Sequence, residues 1–165
     1  MTFRTLDTND YDQYKYLISS FRPTEFTRDQ FSKFVNMLGE HMQVWILEED
    51  STILATATVL YETKLIFNVS TTAHIEDVCV HPDFRTRGLG SRIMNKVYEE
   101  AKRRGCRKVT LVTATETIPF YTKNGYECRG VQLSRLIINP ILVRTSTGAG
   151  NGTSGVHGIN FVLPS

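Results

Sequence analysis

The segment from Ala73 to Lys96, AHIEDVCVHPDFRTRGLGSRIMNK, constrains the fold more than any other part of the chain. Val78 and Val80 lie two residues apart, as the alternation of a β-strand requires. Pro82 has no N–H to donate to a sheet ladder, so the strand is expected to end at about the residue before it. The segment therefore predicts a strand that runs directly into a tight turn.

A helix is predicted directly after this turn, because apolar residues recur there with helical spacing at Leu89, Ile93, Met94 and Val97. The turn is Arg85-Thr86-Arg87-Gly88-Leu89-Gly90. A glycine-containing loop that opens a helix can bind a phosphate, because the backbone can approach closely and free N–H groups attract the anion. The same residues also fit an ordinary basic corner between a strand and a helix. The turn is not a Walker loop, because no Gly-Lys-Ser/Thr follows it. It does not fit a Rossmann fingerprint, because the glycine spacing differs and a long strand-rich region precedes it.

Length and charge narrow the class of protein. With 165 residues, the chain is long enough for one domain with its own core. The formal net charge of +2 is nearly neutral, so the composition indicates no nucleic-acid partner. The N-terminus lacks the apolar core of a signal peptide, and no apolar run is long enough to span a bilayer. We therefore expect a cytoplasmic protein without a membrane span.

The cysteines favour a reducing compartment. They are Cys79, Cys106 and Cys128, an odd number with no C-x-x-C spacing, which argues against a disulfide framework or a zinc site. Cys79 lies in the predicted strand and is expected to be a small buried apolar residue rather than a nucleophile. No metal site is predicted.

The remaining patterns predict an α/β protein with a mixed sheet and helices on both faces. Strands are predicted near residues 3–6, 44–48, 53–61, 73–81, 109–113 and 126–138, and helices near 11–20, 28–38 and 89–104, with a short one that carries Phe120 and Tyr121. Thr27 and Gln30 form a candidate capping box, Gly39 a candidate helix C-cap, and Thr115 or Thr117 a candidate cap of the short helix. Residues 1–140 are expected to form the domain, followed by a Gly/Ser/Thr-rich tail over 141–165.

The loop at 85–90 has the form Arg/Gln-x-x-Gly-x-Gly/Ala and resembles the pyrophosphate-binding signature of the GNAT (Gcn5-related) N-acetyltransferases. The predicted order of elements also matches that family from Phe3 to about Ile137. The resemblance implies the GNAT acyl-CoA N-acyltransferase fold, a mixed and mostly antiparallel sheet flanked by helices. It also implies acetyl-CoA as cosubstrate and no metal.

Further segments resemble the branch of this family that acetylates glucosamine 6-phosphate. They are Ile75-Glu76-Asp77-Val78, Arg107-Lys108-Val109-Thr110-Leu111, Phe120-Tyr121-x-Lys123-x-Gly125-Tyr126 and the earlier Lys64-Leu65-Ile66. The resemblance implies a sugar phosphate as acceptor, a role in UDP-N-acetylglucosamine biosynthesis, and a homodimer in which the last strand reaches the neighbouring subunit.

The resemblance also assigns site residues. For acetyl-CoA these are Val78, Cys79, Val80, Arg85, Thr86, Arg87, Gly88, Leu89, Gly90, Ser91, Thr117 and Tyr121. For the sugar phosphate they are Thr24, Lys64, Leu65, Ile66, Phe67, Glu76, Asp77, Val78, Arg107, Lys108 and, from the partner subunit, Arg135. An aminosugar phosphate needs acceptors for its ammonium and hydroxyls and cationic donors for its phosphate. Glu76 and Asp77 are adjacent, so on a regular strand they would point to opposite faces.

For catalysis the resemblance points to Tyr121, Glu76 and Val112. Tyr121 would protonate the leaving thiolate of CoA, since a phenol holds its proton at neutral pH. A backbone N–H near Val78 to Val80 would polarise the acyl carbonyl. Val112 stands where family members often have an acidic residue, and its main-chain carbonyl would receive the amine. Thr117 stands where an Asn often orients the cofactor.

Two other functions remain open on the sequence. The first is acetylation of another amine, on a protein lysine, an N-terminus or a polyamine. The pair Arg107-Lys108 favours an anionic acceptor instead. The second is a non-catalytic module that binds CoA, against which the presence of Tyr121 argues.

Overall fold

The computed structural model describes residues 1–135. Within these residues, five strands form one sheet in the order β1-β2-β3-β4-β5, in which β1 to β4 pair antiparallel with one another and β5 pairs parallel with β4. The strands are β1 Thr2–Thr5, β2 Met42–Glu49, β3 Thr52–Lys64, β4 Ser70–Val80 and β5 Lys108–Leu111. The helices are α1 Tyr11–Phe21, α2 Arg28–Met37, α3 Ile66–Val69, α4 Leu89–Arg103 and α5 Ile118–Lys123. The predicted mixed sheet with flanking helices is confirmed.

The sheet separates two apolar cores, and the alternation of β2 shows how. Trp45 and Leu47 face the core that contains α4, whereas Val44 and Ile46 face the core that contains α1 and α2. Successive side chains of a strand point to opposite faces, so one continuous apolar strand can serve both cores. The buried stripe of α4 closes the first core, with Leu89, Ile93, Met94, Val97 and Ala101 all buried.

Local signals at helix and hairpin ends act largely as the sequence indicates. Thr27 and Gln30 form the capping box of α2. Asp50 and Ser51, with φ of +49° and +61°, form the two-residue turn between β2 and β3, which matches the twist of a hairpin. Gly39 is not a left-handed cap, however. Its N–H donates to the carbonyl of Met42 at 2.9 Å, because the chain leaves α2 in an extended conformation and enters β2 directly.

The strand predicted over 126–138 is wrong in the part that the structure describes. Residues 127–135 contain no strand, and Val131 and Leu133 are 90% and 91% exposed. Alternating apolar residues stabilise a strand only where one of its faces is buried. Within the described residues, no core lies beside this stretch. Residues 136–138, the boundary at 140 and the tail over 141–165 lie outside the described residues.

Candidate active site

A β-bulge interrupts β4 at Asp77. Thr56 pairs with Cys79 and Thr58 pairs with Glu76, so two residues of β4 stand opposite one residue of β3. Asp77 takes a left-handed φ of +49°. As a result, Ile75 and Val78 both face the α4 core although they are three residues apart. The regular alternation expected for Glu76 and Asp77 therefore does not hold at this point of the strand.

After the bulge, β4 continues without β5 beside it. β5 pairs with β4 only from the pair Thr72–Lys108 to the pair Ile75–Leu111. β4 itself extends to Val80. The N–H of His81 donates to β3, at 2.8 Å from the carbonyl of Leu54. Because N–H groups alternate in direction along an antiparallel strand, the N–H and carbonyl of Val80 point away from β3. This open edge offers backbone hydrogen bonds to a ligand.

The predicted phosphate-binding turn leads from this edge into α4. Gly88 is the N-cap of α4 with a φ of +71°, and a Cβ added there would meet no atom within 4 Å. The backbone N–H of Arg92 donates to the carbonyl of Gly88 at 3.2 Å, in the pattern of an α-helix. The N–H groups of Leu89, Gly90 and Ser91 come before this bond and have no acceptor within the helix. Arg87 directly precedes Gly88 in the turn, and its guanidinium is 3.3 Å from the carboxylate of Glu49. The geometry suits an anion.

Gly90 has a second role that the sequence did not indicate. A Cβ at Gly90 would lie 3.0 Å from Cζ of Phe120 and 3.7 Å from Cγ2 of Val80. The absence of a side chain therefore lets α5 pack against the start of α4 and the end of β4. This contact brings Tyr121, the next residue of α5, to the same part of the molecule.

Tyr121 occupies an environment that keeps its proton in place. Its half-buried ring meets the rings of Phe120 and Tyr126 edge-on, with centroids 5.0 Å and 6.1 Å away. Burial raises the pKa of the phenol, the Thr113 hydroxyl beside it lowers that pKa, and the charge of Glu76 raises it. The net direction is upward, so Tyr121 is neutral at physiological pH and can serve as a proton donor.

Glu76 lies immediately before the bulge, and its charge acts electrostatically on the phenol of Tyr121. Burial raises the pKa of its carboxyl, and the neighbouring charge of Asp77 raises it further, while His74 opposes the change. Asp77 also interacts with Tyr14 of α1. The structure thus brings together three of the predicted groups: the Glu76 carboxyl, the Tyr121 phenol and the open edge of β4.

The predicted phosphate contacts gather at the opposite end of β4, around the tip of the β3–β4 hairpin. The guanidinium of Arg107 lies 3.9 Å from the centroid of Phe67, and its backbone N–H donates to Thr71 at 2.8 Å. Lys64 ends β3, and its ammonium is 2.9 Å from the Glu62 carboxylate. Lys108 begins β5 and is exposed. Leu65 and Ile66 at the hairpin tip are also exposed.

Several predicted residues occupy other positions. The hydroxyl of Thr24, in the loop between α1 and α2, donates to the carbonyl of Arg22 at 2.9 Å. Cys79 points into the α1–α2 core, where its thiol lies 3.3 Å from the carbonyl of Leu17 and burial raises its pKa to about 11. Only its main chain is available to a cofactor. Arg135 is exposed and is the last residue that the structure describes.

The segment after β5 also differs in detail from expectation. Val112 is 55% exposed, so its side chain makes no apolar anchor. Neither Thr115 nor Thr117 makes a side-chain cap on α5. Thr117 is buried, and its hydroxyl donates to the carbonyl of Ala114 at 2.9 Å and shares a hydrogen bond with Thr113. The reason is that a 3-10 turn, Thr115–Thr117, precedes α5 and directs Thr117 inward.

The described residues contain neither a cluster of metal ligands nor a helix that could span a membrane. Within residues 1–135, no group of three His, Cys, Asp or Glu side chains could hold a metal ion. Of the helices in that range, none is both long and apolar enough to cross a membrane.

The sequence model of the acetyltransferase (GNAT) family matches residues 9–126 of the chain. The chain belongs to the GNAT acetyltransferase family. Members of this family use acetyl-CoA, which fits the open strand edge and the turn before α4. The mixed sheet flanked by helices is the fold of these enzymes, and the family expectation from the loop at 85–90 is confirmed.

Individual relatives agree. Glucosamine 6-phosphate N-acetyltransferase 1 of Dictyostelium discoideum is 29% identical over 146 residues, covering 85% of this chain and 93% of the relative. The rice protein of that name, from Oryza sativa subsp. japonica, is 34% identical over 111 residues, 66% of this chain and 67% of the relative. The crystal structure of glucosamine-6-phosphate N-acetyltransferase from Arabidopsis thaliana superposes with a TM-score of 0.77 at 28% identity, covering 83% of this chain and 98% of that one.

The first prediction concerns Gly88. Gly88→Val places a β-branched residue at positive φ and a side chain in the anion-binding turn, so hydrogen bonds to the pyrophosphate should be lost. Charge-assisted hydrogen bonds are worth about 1.5–3 kcal/mol, so acetyl-CoA binding measured by calorimetry should weaken by about tenfold or more. The matched control is Gly105→Val, because Gly105 has the same φ of +71° and open surroundings at the other end of α4. Equal affinity in the two variants would contradict the assignment.

Proposed function

We propose that the protein transfers the acetyl group of acetyl-CoA to the amine of glucosamine 6-phosphate, which yields N-acetylglucosamine 6-phosphate and CoA. The observation that carries the proposal is the similarity to enzymes of that name over most of the chain, which for the Dictyostelium discoideum relative is 85% of this chain and 93% of the relative. The positions of Glu76, Tyr121 and the open edge of β4 support the chemistry. The product places the enzyme in UDP-N-acetylglucosamine biosynthesis, and we expect it in the cytoplasm.

Acetyl-CoA would bind along β4 and the turn before α4. The N–H groups at the start of α4 receive the pyrophosphate, with Arg85 and Arg87 as cationic neighbours. The acyl-bearing arm extends along the strand edge that β5 leaves open, and Ser91 and Thr86 lie beside the bound cofactor. A backbone N–H between Val78 and Val80 polarises the acyl carbonyl, since a preorganised donor stabilises the negative charge that develops on that oxygen.

The transfer would need no covalent enzyme intermediate. The neutral amine attacks the thioester carbon, the new C–N bond forms, and the C–S bond breaks. The departing thiolate takes the proton of Tyr121, whose raised pKa keeps that proton available. Glu76 and the main-chain carbonyl of Val112 orient the amine by accepting its hydrogen bonds.

The sugar phosphate would lie along β4 between Glu76 and the hairpin tip. From Glu76 to Thr72, the partner of Lys108, four residues of strand span roughly 13 Å. The phosphate would be bound near the hairpin tip by the long side chains of Lys64, Arg107 and Lys108. The carboxylate of Asp77 would accept hydrogen bonds from the sugar hydroxyls. Thr24 and the tip residues Leu65, Ile66 and Phe67 complete the proposed contacts.

A second candidate function is acetylation of a different amine by the same chemistry. Val112 favours it, because its apolar side chain can accept no hydrogen bond from an amine. The hairpin-end cations favour the sugar phosphate, since Arg107 and Lys108 would repel a polyamine. A non-catalytic CoA-binding role has no observation of this kind in its favour.

We also infer that the protein works as a homodimer. Leu65, Ile66, Phe67 and Val69 form one exposed apolar group at the hairpin tip. Contiguous apolar surface of this kind usually marks an interaction site. In a two-fold dimer, the stretch that carries Val131 and Leu133 would approach the other subunit and bring Arg135 to its sugar site.

The second prediction concerns Tyr121. Tyr121→Phe keeps the ring and removes the proton, so the rate of the chemical step should fall by roughly 10²–10⁴-fold while acetyl-CoA binding changes little. Release of free CoA in single-turnover experiments measures the rate. Tyr16→Phe is the control, because Tyr16 is an exposed tyrosine on α1. A chemical step at the wild-type rate in the Tyr121 variant would remove the proposed acid.

The third prediction tests the acceptor. Glucosamine 6-phosphate should be strongly preferred over glucosamine, spermidine and a histone peptide in a CoA-release assay. Arg107→Gln or Lys108→Gln should lower kcat/KM for the phosphate by about 10- to 150-fold, from the loss of about 1.5–3 kcal/mol, and leave glucosamine unaffected. Arg103→Gln is the charge-matched control, because Arg103 pairs with Glu100 at 2.6 Å. Equal rates with glucosamine and its phosphate would disprove the sugar-phosphate assignment.

The fourth prediction tests assembly. Light scattering should give the mass of a dimer at micromolar concentration. Mixing Arg135→Ala subunits with Tyr121→Phe subunits should restore part of the lost activity, because one of the two shared sites in a heterodimer would have both residues intact. Mixing two preparations of the same variant is the control. A fully active monomer would contradict both the dimer and the shared site.

A further inference from the structure

The turn between β3 and β4 has an unusual backbone. Phe67, Asn68 and Val69 have φ of +60°, +61° and +58°, and within residues 1–135 no other run of three residues is left-handed. This conformation is unfavourable for L-residues, most of all for a β-branched residue such as Val69. A left-handed segment of this kind persists only where the surrounding structure holds it, and such segments are common at ligand sites.

Burial does not stabilise this turn, because Phe67 and Val69 are 59% and 62% exposed. Two contacts hold it instead. The N–H of Val69 donates to the carbonyl of Leu65 at 3.1 Å, and the guanidinium of Arg107 lies 3.9 Å from the centroid of the Phe67 ring. Arg107 is itself fixed to β4, since its backbone N–H donates to the carbonyl of Thr71 at 2.8 Å. The turn therefore places an aromatic ring against the guanidinium that precedes β5.

Arg107 and Lys64, two cations of the predicted phosphate site, differ in their partners. The ammonium of Lys64 is 2.9 Å from Oε2 of Glu62, and this oxygen is also 2.9 Å from Nε2 of His74. In the part of the chain that the structure describes, the guanidinium of Arg107 forms no ion pair with a carboxylate. A phosphate that binds Lys64 must therefore compete with Glu62, whereas a phosphate that binds Arg107 displaces no anion of these residues.

The contact with Phe67 orders the guanidinium of Arg107 without using its hydrogen-bond donors. At 3.9 Å from the ring centroid, the central carbon of the guanidinium is at the van der Waals distance of two stacked planar groups. Stacking uses the face of the guanidinium, and its N–H groups project from the edge in the fork that matches two phosphate oxygens. An arginine loses rotamer freedom when it binds a ligand, which weakens binding. A ring that already restricts the side chain therefore strengthens phosphate binding without touching the phosphate.

We propose that Phe67 is a positioning residue for the phosphate of the acceptor, because its ring holds the guanidinium of Arg107 for a bidentate bond to two phosphate oxygens. This inference rests on the proposed function, since it explains how the same site recognises the charged end of glucosamine 6-phosphate. The left-handed turn has a part in it, because this backbone directs the Phe67 ring toward Arg107. The effect should appear in the binding of the acceptor and not in the transfer of the acetyl group.

The test is Phe67→Leu, which keeps an apolar side chain and removes the aromatic face. A cation–π contact at an exposed site corresponds to a change in affinity of about 2- to 5-fold. KM for glucosamine 6-phosphate should rise by that factor, while kcat and the calorimetric Kd for acetyl-CoA stay the same. KM for glucosamine, which carries no phosphate, should not change. Phe67→Tyr should retain the wild-type KM, because a tyrosine ring supports the same contact.

A double-mutant cycle separates positioning from direct contact of the ring with the sugar. In an Arg107→Gln background, Phe67→Leu should have no further effect on KM for glucosamine 6-phosphate, because the ring then has no guanidinium to hold. Asn68→Gly is the control for a change in the turn. It leaves the Phe67 ring in place, and glycine accepts the left-handed φ of this exposed position.

Three results would overturn the positioning role: an unchanged KM in Phe67→Leu, a rise in KM that Phe67→Tyr shares, or an equal rise in the wild-type and Arg107→Gln backgrounds. The melting temperature and the scattering mass of Phe67→Leu should match those of the wild type, since Phe67 is exposed. If they do not, Phe67→Met, which also lacks a ring, takes its place. A wild-type protein that does not acetylate glucosamine 6-phosphate would end the proposed function and the positioning role together. An active enzyme whose KM is indifferent to the ring would end the positioning role alone.

Discussion

The separation of β4 from β5 after Ile75 is the constraint on which the site depends. Backbone groups of a sheet interior are normally paired with a neighbouring strand, and an unpaired edge is costly unless a partner reaches it. Here β3 continues to hold one side of β4 as far as His81, while the other side is left open. The bulge at Asp77 reinforces the effect, since it shifts the side chains of Glu76 and Val78 relative to a regular strand. A ligand that runs along this edge completes the sheet.

The helices convert that open edge into a site of defined chemistry. The buried apolar face of α4 fixes the N-terminus of that helix at the end of β4. The free N–H groups and the positive end of the helix dipole therefore lie at the open edge of β4. Gly90 then allows Phe120 to pack closely enough to bring Tyr121 beside it. The polar groups stand at the two ends of β4, with the carboxylate and phenol near the bulge and the cations near the hairpin tip. This division of charge matches an acceptor that has an amine at one end and a phosphate at the other.

Much of the fold follows from local signals. The capping box of Thr27 and Gln30 meets a backbone requirement that only a few residue types satisfy, so the sequence alone predicts it. Two expectations failed for a shared reason. Gly39 and the apolar alternation of the described residues 126–135 have the right residue types. Whether a glycine must be left-handed, or whether a strand has a surface to pair with, depends on neighbours that are distant in sequence.

The sequence by itself determined the family and predicted the turn before α4, because both depend on residue types at short spacings. The acid–base candidates followed from the resemblance to that family. Only the tertiary structure decided how those residues face one another. A one-residue bulge reverses the alternation of β4, which no periodicity of residues 73–80 reveals. The packing of Phe120 on Gly90 and the bond from His74 to Glu62 join residues that are 12 or more positions apart. Such contacts arise from the register of β3 with β4 and from the way α5 meets α4, and these are set by burial across the whole core rather than by any single segment.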